Sequence, residues 1–297
     1  MNRSSSHDHR ALLKVTVLRL KDLGKYPLQK NIYMNKEKNG RLYYRSLRLV
    51  GLKRESNKLL KKVIMEHNIN KHISGRFNQE LEDVRNHVLS MGGLVEQQLN
   101  SALDAVSQND AVLAQKVREN DYKVNAMEVS IDEDCTRIIA RRQPAASDLR
   151  LVVAIAKTIA DLERIGDEAK RIAKVALDSF TKDQQDLLVN IENMGRQVSK
   201  MLHDVLDAFA RMDVQRAFEV HKEDAKVDRE YEAITRQIMT YMMEDPRSIP
   251  KIMDLVWSVR SLERIGDRCQ NIAEYIIYFV NGKDIRHTSQ EDIEKSL

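Results

Sequence analysis

The hexapeptide LERIGD spans Leu162–Asp167 and recurs letter for letter at Leu262–Asp267. On an α-helix, residues four apart share a face, so each copy sets two carboxylates side by side, Glu163 with Asp167 and Glu263 with Asp267. Such like-charged neighbours repel by a few tenths of a kcal/mol (about 0.2–0.5). Gly166 and Gly266, at mid-helix positions, each add roughly 1 kcal/mol of helix cost relative to alanine. A locally unfavourable motif spelled twice points to a duplicated unit, and long internal repeats dictate architecture.

Sliding the chain by 103 residues extends the match. Met91-Gly92 falls on Met194-Gly195, Val95 on Val198, Leu99 on Leu202, Leu103-Asp104-Ala105 on Leu206-Asp207-Ala208, and Asp121 on Asp224. At the hexapeptides the offset has shortened to 100, which places a three-residue deletion near the Pro-containing connection of the second copy. Apolar periodicity predicts six long helices, over about 77–107, 110–142, 146–179, 185–211, 214–244 and 249–281. Breaks occur at stretches such as SQND, RRQPAASD and EDPRSIP, where Pro, Asp or Ser stops one helix or caps the next. Leu151, Ile155, Leu162, Ile165, Ala169, Ile172 and Ala176 form a heptad-like seam on the third helix. Leu255, Leu262, Ile265, Cys269, Ile272, Ile276 and Phe279 repeat it on the sixth. Short connections force sequential helices antiparallel. The expected fold is therefore all-α, two tandem antiparallel three-helix bundles over 65–180 and 181–283, followed by a polar tail, 284–297.

Composition agrees with long helices: 32% of residues are charged and 5% aromatic, with 10 Gly and 4 Pro in 297. Residues 1–64 hold 17 basic against 4 acidic side chains, a balance of +13, whereas 65–297 carry −9. The first segment lacks a sustained helical stripe. It reads as a basic arm or, preferably, as sequence ahead of a natural start at Met65, where the composition changes. Cys135 and Cys269 belong to no CxxC or Cys/His cluster, and no apolar run of membrane-spanning length or secretory signal is seen, so a cytoplasmic location is expected.

At about 100° per residue, Glu163 and Asp167 lie roughly 130–170° from the core seam. They continue a secondary apolar face carrying Val152, Ala156 and Ile159, and Ile252, Val256 and Val259 repeat it in the second unit. Clustered carboxylates suit hard cations such as Mg, Ca, Mn or Fe. The second helix of each unit adds Asp121 with Asn125, and Asp224 with Asp228, again four apart. The second set is more acidic, so it is expected to bind metal more strongly. The opposing expectation is that Arg164, Arg264 and nearby lysines pair these acids at a solvated surface.

Enzymatic alternatives fare poorly. A carboxylate-bridged oxidase needs Glu-x-x-His pairs, but Glu163 and Glu263 are followed three residues later by glycine, and neither His203 nor His221 has a Glu three positions earlier. There is no G-x-S-x-G elbow, no Gly-rich phosphate loop and no Cys with a convincing His partner. A non-enzymatic protein is expected, either a regulatory module with a functional acidic face or a structural, dimerising bundle.

With NKHISGRFNQEL, RRQPAASDLRLV, DVLDAFARMD, TYMMEDPR and LERIGDRCQNIAEYI in order, the stretch from about 70 to 297 resembles the PhoU family, regulators of high-affinity phosphate uptake. The resemblance implies two helical bundles and metal-binding E/DxxxD motifs, here Glu163/Asp167, Glu263/Asp267 and Asp224/Asp228. Asn125 replaces the second acid of the remaining pair and leaves Asp121 alone. It further implies repression of the phosphate regulon when phosphate is plentiful, by linking the phosphate ABC transporter (through its ATPase subunit) to a membrane sensor histidine kinase. A homodimer is expected, with no nucleic-acid partner, no required cofactor and contact with the membrane only through partners. Chains of this family begin just before the first helix, in keeping with a start near Met65.

Overall fold

A computed structural model describes residues 75–176, 185–288 and 290–296. The basic segment 1–64, the Met65 start and the connection 177–184 lie outside these residues. The described elements are helical: α1 Gly75–Gln108, α2 Ala111–Asn120, α3 Tyr122–Arg142, α4 Ser147–Val175, α5 Gln185–Arg211, α6 Val214–Glu244, α7 Ile249–Asn281 and a short α8 Gln290–Ser296. Among the described residues no strand occurs.

The two copies make the same local choices. Asn109 and Met212, 103 residues apart, both take left-handed backbone angles (φ 52° and 50°) that turn the chain out of the preceding helix. The next residue in each, Asp110 and Asp213, caps the following helix by accepting hydrogen bonds from the backbone N–H groups two and three residues on. These caps satisfy donors that a helix start leaves free, each contributing about 1 kcal/mol. The second expected helix is interrupted at Asp121, although that residue keeps helical angles (φ −59°, ψ −32°), so α2 runs almost directly into α3.

In each repeat the first and third helices pack together and the second lies against them, giving α1 with α2, α3 and α4, then α5 with α6 and α7. The repeats join along α4 against α7 and α1 against α5. Their apolar residues form one continuous core containing both predicted seams. The junction has an approximate twofold relation. A Cβ at Gly92 would lie 2.4 Å from Leu206 Cδ2, and one at Gly195 would lie 2.4 Å from Leu103 Cδ2. Beside them His203 pairs with Glu96 at 2.9 Å, and at the repeat-equivalent positions the Ser199 hydroxyl donates to Asn100 at 2.5 Å. Between α4 and α7, Arg268 pairs with Asp161 at 3.4 Å, and the equivalent pair is Ser261 donating to Glu168 at 2.7 Å. One frame is thus used twice with different side chains.

Candidate functional site

Both LERIGD segments face the second helix of their own repeat. Their glycines explain how closely: a Cβ at Gly266 would lie 2.9 Å from Asp224 Oδ1 and 3.3 Å from Val227 Cγ1. A Cβ at Gly166 would lie 3.3 Å from Gln98 Oε1 and 3.4 Å from Asp121 Oδ1. The missing side chain therefore admits a buried aspartate against the helix backbone in both copies. The duplicated glycine and the duplicated aspartate belong to one feature.

The two carboxylate clusters differ in how their charge is met. In the first repeat, the Lys170 ammonium donates to Asp121 Oδ2 at 2.6 Å and pairs with Asp167 at 2.7 Å. Gln98 donates its amide to Asp121 Oδ1 at 2.9 Å. Burial opposes the charge on Lys170, but the two carboxylates outweigh it and hold the group above the ordinary lysine range. Glu163 is pushed upward by burial and by the charges of Asp167, Glu128 and Asp121. Glu128, also raised by burial and by Asp132, is a further acid of this cluster, and its place two turns from Asp121 on the same helix face is the signal that could have found it.

In the second repeat the positions equivalent to Gln98 and Lys170 hold Met201 and Gln270. Asp224, 4% exposed, consequently keeps an Oδ1 without a hydrogen-bond partner. Burial first, then the neighbouring charges of Asp228 and Asp267, push its carboxyl up to about 7. Burial and the charge of Asp228 raise Asp267, and burial with Asp267 raises Glu263. Asp228 sits at the exposed rim. At the edge of the cluster Arg260 binds Glu263 at 2.8 Å while lying over the Tyr231 ring.

Arg164 and Arg264, inside the hexapeptides, are turned away from the motif acids. Arg164 approaches Asp161 at 3.9 Å, and Arg264 donates to Glu168 at 3.2 Å in the junction between repeats. The first is an i,i+3 pair within α4 that helical spacing permits, whereas the second depends on how α7 packs against α4 and does not follow from the sequence pattern.

The two donor sets suit the hard cation that the motif implies to different degrees. Among the described residues no group of three or more His, Cys, Asp or Glu is drawn together closely enough to hold an ion as it stands. By donor chemistry the second cluster fits such an ion: all its ligating groups are carboxylates, and the orphan oxygen of Asp224 is an unmet acceptor. The first fits poorly, because the Lys170 ammonium already occupies the place of the positive charge.

A family model described as the PhoU domain matches residues 88–176 and again 191–276, the two structural repeats. Over 230 residues the chain is 60% identical to the phosphate-specific transport system accessory protein PhoU of Serratia marcescens, covering 77% of this chain and 95% of that protein. The protein of the same name from Escherichia coli (strain K12) is 58% identical over the same shares. The crystal structure of PhoU from Pseudomonas aeruginosa superposes with a TM-score of 0.66 at 52% identity, covering 70% of this chain and all of that one. The phosphate transport system regulatory protein PhoU from Streptococcus pneumoniae gives 0.64 at 30% identity, covering 70% and 98%.

Proposed function

The chain belongs to the PhoU family, and from that premise we propose that it is a regulatory accessory protein of phosphate transport. It works as a non-enzymatic adaptor in the cytoplasm, linking the ATPase subunit of the phosphate ABC transporter to a sensor histidine kinase. Through this link it restrains phosphate uptake and the phosphate regulon when phosphate is abundant. The observation carrying this reading is the match to accessory proteins of phosphate transport along 95% of their length, with both repeats included. No helix among the described residues is long and apolar enough to cross a membrane, which suits an adaptor that meets its membrane partners from outside the bilayer.

Within this role the second carboxylate cluster is the metal-responsive one. Asp224, Asp228, Glu263 and Asp267 would hold a divalent or iron-type cation, which supplies positive charge to a place where ionisation is otherwise unfavourable. The first cluster, Asp121, Glu163 and Asp167, relies on Lys170 instead. As a homodimer the protein would offer two such clusters.

The test is capture of the ATPase subunit and of the kinase cytoplasmic region by the full chain, with and without added Mg or Mn. Binding to both supports the adaptor. Binding to neither overturns it and leaves a structural bundle. Loss of capture in the double variant Glu263→Ala/Asp267→Ala, with helical content intact, would assign the acidic face to function.

A further inference from the structure

Ile249, Met253 and Trp257 of α7 are spaced four apart and therefore lie along one side of the helix over roughly 12 Å. All three are exposed, Trp257 by 57%. The repeat-equivalent positions of α4 hold Leu149, Val153 and Lys157, and Lys157 lies over the rings of Tyr275 and Tyr278. The first two positions are apolar in both repeats, and only the third differs in character, so the tryptophan is what sets the α7 stripe apart. Exposed large apolar residues in a row mark interaction surfaces, and methionine and tryptophan are the side chains best suited to adaptable, strongly held contacts.

The stripe leads into a cleft of about 340 Å³ whose wall includes Trp257, Arg171, Lys174, Arg260 and Arg264. Its cations are positioned from within the protein. Buried Glu168 binds Arg171 at 2.8 Å and Arg264 at 3.2 Å, and also accepts the Ser261 hydroxyl. Lys174 reaches across to Asp254 at 3.2 Å. These are multi-donor groups, each held by one carboxylate, so further N–H donors remain to face the cleft. Four cations meet three carboxylates, Glu168, Asp254 and Glu263, a balance of +1 on a chain whose residues 65–297 carry −9.

We infer that this surface docks an acidic amphipathic helix of a partner protein. Apolar side chains four apart cover Ile249, Met253 and Trp257, and flanking carboxylates meet Arg171, Lys174 and Arg264. Length and charge together select this occupant. A nucleotide could use Trp257 and the guanidinium groups, but would leave Ile249 and Met253 uncovered one to two turns away. The inference rests on the adaptor reading and gives it a surface.

Trp257 is the single tryptophan of the chain, so its emission reports on the cleft directly. The full chain is titrated separately with the transporter ATPase subunit and with the kinase cytoplasmic region, following emission and affinity. A blue shift with one of them is expected, together with about ten-fold weaker binding of Met253→Asp and of Lys174→Glu, two exposed positions whose replacement spares the core. If the unaltered chain binds neither protein, the adaptor reading fails and the inference falls with it. If it binds while both variants bind equally well, the docking surface is wrong and the adaptor stands. An emission change with ATP or tripolyphosphate but with neither protein makes the cleft a small-anion site and overturns the proposal. So does a shift that tracks the chain's own concentration and coincides with dimer formation, which would make the occupant a second copy.

Discussion

Gly92 of α1 receives the Leu206 side chain of α5 so closely that a methyl group at position 92 would lie 2.4 Å from Leu206 Cδ2. Gly195 and Leu103 repeat the contact at the same distance from the other side. Alanine at either position gains about 1 kcal/mol in helix propensity but forces a packed leucine to move, which typically costs about 1–3 kcal/mol. Gly92→Ala and Gly195→Ala should each reduce stability by up to about 2 kcal/mol, and by equal amounts, in urea unfolding. Unequal effects would show that the approximate twofold does not extend to the energetics of the junction.

The notch glycines should not be equivalent. Gly266 is the tighter: a methyl group added there would sit 2.9 Å from Asp224 Oδ1, against 3.3 Å to the nearest atom for one added at Gly166. Gly266→Ala is expected to displace Asp224 and weaken Mn binding by about ten-fold, whereas Gly166→Ala leaves Mn binding within about two-fold. Isothermal titration with Mn is the measurement. Equal behaviour of the two variants would remove Asp224 from the site.

Exchanging the residues at 170 and 270 should exchange the character of the clusters. Lys170→Gln leaves Asp121 and Asp167 without their cation and should lower stability at neutral pH by about 1–3 kcal/mol, part of it recovered by added Mg or Mn. Gln270→Lys should place an ammonium near Asp224 and Asp267 and reduce Mn affinity in the second repeat. Thermal melts of both variants with and without the ion provide the check. An unchanged metal response in Gln270→Lys would count against the second cluster as the cation site.

Asp224 makes the pH dependence specific. Its carboxyl stands at about 7 in the folded chain against an ordinary 3.8, so between these values the folded state holds a proton that the unfolded state has released. Stability from this group is therefore lost as pH rises from about 4 to 7. Asp224→Asn should flatten that slope in the metal-free protein and raise stability at about pH 8 by about 1–3 kcal/mol. A metal ion competes with the same proton, so affinity should climb over the same interval in the unaltered chain. A flat pH profile before mutation would contradict the buried, unpartnered placement of this side chain.

The helices and their duplication were legible because they rest on local periodicity. The Leu162/Ile165 and Leu262/Ile265 seams recur every turn or two, and the Asp110 and Asp213 caps announce themselves one residue before their helices. The interruption at Asp121 was not legible, since its dihedrals stay helical and no Pro or Gly marks it. Lys170 could be read as an i,i+3 neighbour of Asp167, but its bond to Asp121 depends on how α4 packs beside α2 and α3, which helical spacing does not encode. Arg164 and Arg264 looked like natural partners for the motif acids. One residue of helix is about 100° of rotation, and that rotation aims them at Asp161 and Glu168 instead.

The paired contacts across the junction, Arg268 with Asp161 and Ser261 with Glu168, also bear on what this architecture can become. In a dimer of identical chains every substitution appears on both sides of the axis at once, so a change that helps one half must be tolerated by the other. Joining the halves in one polypeptide releases that constraint. A lysine can settle in one notch while the other keeps a glutamine, and an exposed tryptophan can arise on α7 where α4 keeps a lysine. The result is a common frame whose two repeats are free to specialise separately.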